Sequence, residues 1–152
     1  MWIEDRVELY KQYFSDCKAV EPVKRLCKYG VPVDKLDALE AIRALNTELS
    51  DLYQVELPVI TCWVRDNSYV PETREIYLTE PELKAFLHEY RHHLQNIERR
   101  YERRGLTVEG KQELAKIPYE DCNYKLRGED DAIAWSTMLI ELCGHKPVKG
   151  AI

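Results

Sequence analysis

Apolar residues return every third or fourth position through most of this chain, a rhythm that predicts a largely helical protein. Leu83, Phe86, Leu87, Tyr90, Leu94, Ile97 and Tyr101 form one apolar stripe. Thr79 followed by Glu82 is a capping-box pattern that marks its start, and Pro81 suits a first helical turn. From Asp34 to about Tyr53, Leu36, Leu39, Ile42, Leu45, Leu49 and Leu52 predict a long scaffold helix backing a sheet. Trp2 to about Lys18 carries Val7, Tyr10, Tyr13, Phe14 and Cys17 along one side, and a short helix over Pro22 to Tyr29 should close at Gly30. These N-terminal helices read as structural rather than chemical. A last helix is expected to open at Gly128 and run through Leu139.

Two stretches break the helical rhythm. Glu56 to Val64, ELPVITCWV, has the β-branched and aromatic content of a strand, and Arg74 to Leu78, REIYL, reads as a second. Asp66-Asn67-Ser68 between them is turn chemistry. Thr107 to Arg127 offers only a short helix at Glu109 to Lys116 and a break at Pro118. The resulting fold class is α+β, several helices on a small few-stranded sheet. At 152 residues the chain suits one domain. Its parts would be a helical scaffold over 1–55, a core over 56–143 and a tail over 144–152.

A charged fraction of 32% beside 45% hydrophobic residues is that of a soluble globular protein, and the net charge of -5 makes no case for nucleic acid or an anionic membrane as partner. No apolar run approaches the roughly 20 residues needed to span a bilayer, and the N-terminus lacks a signal-peptide layout, so a cytoplasmic protein is expected. Cys17, Cys27, Cys62, Cys122 and Cys143 form no C-x-x-C pair, which favours free thiols. Five arginines between Arg91 and Arg104 read as a solvated helix face.

The chemistry concentrates in His88-Glu89-Tyr90-Arg91-His92, an H-E-x-x-H sequence on the predicted helix. Residues four apart lie about 40° apart around a helix axis, so His88 and His92 can converge on one metal ion. Glu89 then sits beside that metal, placed to take a proton from a bound water. With Leu83 at 0°, His88 falls at about 140° and His92 at about 180°, opposite the core-facing stripe, while His93 lies about 100° from His92 and should be a bystander. A zinc site needs a third protein ligand. Glu129 begins an arc of the last helix that includes Ile133, Ser136, Leu139, Ile140 and Cys143, and a carboxylate on a buried face needs a partner. Asp131 is the competing ligand, and the three acids at 129–131 also suit the positive end of a helix.

H-E-x-x-H followed some 40 residues later by E-x-x-A-x-x-aromatic-small resembles the gluzincins, most nearly their smallest members, the minigluzincins and the ImmA/IrrE-like peptidases. The match covers roughly residues 56 to 143. The resemblance implies a zincin-like minimal domain with Zn²⁺ held by His88, His92 and Glu129. It implies Glu89 as general base and Ala132 as the small residue that lets two helices approach. It also implies an edge strand, around Ile76, Tyr77 and Leu78, that aligns a peptide or protein substrate. The expected reaction is peptide-bond hydrolysis. Tyr119, Tyr124 and His145 are the candidates, by chemistry only, for stabilising a transition state. Three other readings stay open: a zinc-stabilised but inactive interaction module, a metal-free helical interaction protein, and a latent enzyme whose cleft is filled by the tail from Lys146 to Ile152.

Overall fold

A computed structural model describes residues 3–100 and 124–144. The predicted helix at Glu109 to Lys116, Tyr119, Cys122, His145 and the tail from Lys146 lie outside them, as does the side chain of Tyr124. In chain order the elements are α1 (Ile3–Phe14), α2 (Val20–Tyr29), α3 (Lys35–Tyr53), β1 (Val59–Cys62), β2 (Ser68–Val70), β3 (Glu75–Leu78), α4 (Leu83–Arg100) and α5 (Tyr124–Leu142). The architecture is α+β.

Each helix follows from its apolar spacing. The α4 stripe from Leu83 through Ile97 is buried along its described length. Helix α5 lies against α4 on one side and α1 on the other, and α4 also touches β2 and β3. One apolar cluster joins Tyr10 and Phe14 of α1, Ile42 and Leu49 of α3, Ile76 and Leu78 of β3, Phe86 and Leu87 of α4, and Trp135 and Met138 of α5. The face of α3 is rotated from its leucine row. Leu36 and Leu52 are exposed, and Ala38, Asn46, Ser50 and Tyr53 complete the buried side. Buried Asn46 donates its side-chain amide to the Pro58 carbonyl at 2.9 Å. Gly30 ends α2 at φ 81, a left-handed backbone that a side chain would resist.

Asp34 caps α3. Its Oδ1 accepts from the Leu36 and Asp37 amides at 3.0 Å each. Asp34→Ala should therefore cost about 1 kcal/mol in a denaturant melt, and a change near zero would show the cap to be idle.

Two boundaries differ from the sequence reading. Thr79 does not cap α4, because its amide is taken by the Asn67 side chain at 2.8 Å, which ties it to the turn before β2. The first helical bond runs from Phe86 N–H to the Glu82 carbonyl at 2.9 Å, so Glu82 holds the capping position. At the other end α5 begins at Tyr124, four residues before Gly128. Glu129, Asp130 and Asp131 therefore sit in its second turn, beyond the amides that a helix start exposes.

The sheet order is β1-β3-β2, with β1 parallel and β2 antiparallel to β3. This overturns the edge-strand reading of Ile76, Tyr77 and Leu78. They form the central strand, where Ile76 pairs with Ile60 on one side and Tyr69 on the other. Its backbone groups are spent on two neighbours, and Ile76 and Leu78 are fully buried. Ser68 and Tyr69 of β2 line a cavity together with Glu89 and His92 of α4.

Candidate metal centre

Helices α4 and α5 bring His88, His92 and Glu129 together, their ligand atoms all within 4.8 Å of one another. Glu129 Oε1 stands 2.7 Å from His92 Nε2, and Oε2 stands 3.4 Å from His88 Nε2. One carboxylate oxygen thus faces each imidazole nitrogen, close enough for a single ion to be shared among the three side chains. Two imidazoles and a carboxylate from two helices are a donor set that could hold a metal ion. The half-turn offset from the apolar stripe leaves both rings half-buried, within reach of α5 rather than out in water. Burial first, and then the neighbouring His92, lowers the His88 pKa against the pull of Glu129, which keeps its ring neutral and able to ligate.

Glu129 reaches the site from a different side of α5 than expected. Its side chain is 56% exposed, and Ile133 one turn on is also exposed. The buried side of α5 carries Asp131, Ala132, Trp135, Met138 and Leu139. Ala132 is fully buried.

Asp131 has no capacity left for a metal. It accepts from Tyr10 Oη, from Arg91 Nε at 2.8 Å and Nη2 at 3.3 Å, and from Gln95 Nε2 at 2.6 Å. Four donors occupy the roughly four acceptor sites of a carboxylate. Arg91 itself is fully buried, with its guanidinium 5.5 Å from the Phe14 ring centre and 5.0 Å from that of Trp135. The solvated-face reading thus fails for Arg91. Burial, followed by the Asp131 charge, pushes the Tyr10 phenol up, so Tyr10 stays a neutral donor.

Glu89 is buried beside the cluster, and burial first, reinforced by the Glu129 charge and opposed by His92, pushes its carboxyl up to about 7. A carboxyl poised near neutrality suits proton transfer in both directions. Glu89, His92 and Glu129 share a cavity of about 380 Å³ with Asn67, Ser68, Tyr69, Pro71, Gln95 and Asn96.

His93 stays out of the cluster, as its angle on the helix required, but it is no idle surface group. It is fully buried. A carbonyl can only accept, so His93 Nε2–H donates to the Glu56 carbonyl at 2.7 Å, and Nδ1 accepts from the Tyr69 hydroxyl at 2.7 Å. Burial lowers its pKa to about 4, against the pull of the Glu56 carbonyl. Asn96 donates to the same hydroxyl at 2.9 Å and to the Pro71 carbonyl at 3.1 Å. Together His93 and Asn96 fasten β2 beside α4.

Gln95 and Asn96 were not singled out by the sequence pattern. The signal for Gln95 was its place three residues after His92, on the same face of the helix. Among the described residues no helix is long and apolar enough to cross a membrane, and Cys17, Cys27, Cys62 and Cys143 are free thiols. Comparison with protein-family models, with curated proteins and with solved structures finds no match to this chain.

Proposed function

We propose that the chain is a zinc-dependent peptidase of the gluzincin kind, built on a zincin-like minimal domain. The observation that carries this reading is the convergence of His88 and His92 with Glu129, 37 residues beyond His92, beside the buried Glu89. Adjacent helical positions bring the histidines together, but only the packing of α5 on α4 adds a third ligand. His88, His92 and Glu129 would hold the metal, which when bound would supply an acidified water and polarise a carbonyl. Glu89 would be the residue placed to accept a proton and hand it on to a leaving amine. Its burial lets it hold the proton near neutral pH.

The substrate strand in this reading is β2. It ends the described sheet on the side of the cavity, and Ser68, Tyr69 and Pro71 line the same space as Glu89 and His92. An extended peptide added along that edge would pass the metal ligands.

Elemental mass spectrometry of the purified protein tests the metal centre. Near one zinc per chain is expected in the wild type, lost or much reduced in His92→Ala and Glu129→Ala. A wild-type protein that contains no zinc and takes none up would overturn the assignment.

A further inference from the structure

Gln95 touches three groups at once. Its Nε2 lies 2.9 Å from the Gly128 carbonyl and 2.6 Å from Asp131 Oδ2, and its Oε1 lies 2.9 Å from His92 Nδ1. Gly128 and Asp131 belong to α5, His92 and Gln95 to α4. The side chain therefore bridges the two helices that carry the metal ligands.

The orientation of this amide follows from its partners. A backbone carbonyl and a carboxylate both accept, so the group facing them must be the NH₂, and a flipped amide would set three acceptors against one another. The amide oxygen is then left for His92. An amide oxygen only accepts, so His92 Nδ1 must carry a hydrogen. In the neutral ring the lone pair is then on Nε2, the atom 2.7 Å from Glu129 Oε1. A lone pair facing a carboxylate at that distance calls for a positive charge at Nε2, whether a proton or a metal ion.

We infer that Gln95 is a positioning residue of the metal centre, fixing His92 in the Nδ1–H tautomer so that Nε2 is presented to the metal. This rests on the proposed metal site and adds how the site is set. Asp131 anchors Gln95, and Arg91 and Tyr10 anchor Asp131, so the orientation of His92 traces back to α1 through a chain of hydrogen bonds. Groups that orient a ligating imidazole from behind are typically worth about 10- to 100-fold in metal affinity.

The test is a long-range proton–nitrogen NMR correlation of the histidine rings in metal-free protein at about pH 8, above the usual imidazole range. His92 is expected to carry its hydrogen on Nδ1. In Gln95→Met, which keeps length and removes both polar atoms, that hydrogen should move to Nε2, facing Glu129. Zinc titration in competition with a chelator should show Gln95→Met about 10- to 100-fold weaker than wild type, with unchanged circular dichroism. A wild-type His92 protonated on Nε2 alone, or a Gln95→Met protein with wild-type zinc affinity, overturns the inference. The wild-type spectrum decides the tautomer even if the variant does not fold. Failure of the metal reading shows separately, as a wild type that takes up no zinc.

Discussion

Asp131→Ala should lose about 3–5 kcal/mol of stability, the range found when one partner of a buried ion pair is removed. The substitution leaves the Arg91 guanidinium with no solvent exposure and no counter-charge, still wedged between Phe14 and Trp135. It also strips the acceptor from Tyr10 and one of two α5 anchors from Gln95. For a domain of this size the loss corresponds to a fall in Tm on the order of 10 °C. Replacing both members of the pair, Arg91→Met with Asp131→Leu, should cost much less, because no uncompensated charge remains. His88, His92 and Glu129 are untouched, so Asp131→Ala protein that stays folded should still take up zinc, with reduced affinity through the loosened Gln95. A loss below 1 kcal/mol for the single change would show that water already screens the pair. Complete loss of zinc from a folded variant would restore Asp131 as the ligand.

How far the sequence carried these conclusions depends on the distance over which each interaction acts. The α4 stripe was legible because burial of one helical face forces the same residue class to recur along it. His88, Glu89 and His92 were legible for the same reason, since helical geometry alone places the two imidazoles together. The family resemblance singled out Glu129, which the fold brings to His88 and His92, but the argument for its burial failed. Glu129 and Ile133 lie on the exposed side of α5, which is buried around most of its circumference and so carries little periodic signal. The short strand β2 contains Ser68 and Tyr69, and its three residues are too few to show alternation, so the sheet order was misread. The contacts of Asp131 with Arg91 and with Tyr10 span 40 and 121 residues, and nothing local in the sequence reports such a partner. Arg91 sits among polar neighbours in the sequence, and only the packing of α1 and α5 turns it inward. The N-terminal helix, which read as scaffold, supplies Tyr10 to the group that holds Gln95.

Glu89→Gln should keep zinc and lose turnover. The amide has the shape of the carboxyl but cannot accept the proton of an attacking water, and removal of such a base typically costs about 10²- to 10⁴-fold in rate. The same substitution should stabilise metal-free protein at alkaline pH. Glu89 has its pKa raised in the fold from 4.5 to about 7, so the folded state favours the protonated carboxyl and the unfolded chain the ionised one. Wild-type stability therefore falls as pH rises from 4.5 through about 7, while the glutamine variant has no such term. Above that window Glu89→Gln should be more stable by up to about 3 kcal/mol, and below pH 4.5 the two should converge. Denaturant melts in the presence of chelator, at pH values spanning the window, measure the difference. Retained zinc, lost hydrolysis and a gain in stability together are the signature of a carboxylate kept for chemistry at a cost to the fold. Near-wild-type cleavage by Glu89→Gln would sink the general-base assignment. A zinc-loaded wild type that cleaves no peptide in a diverse library would reduce the metal to a tie between α4 and α5.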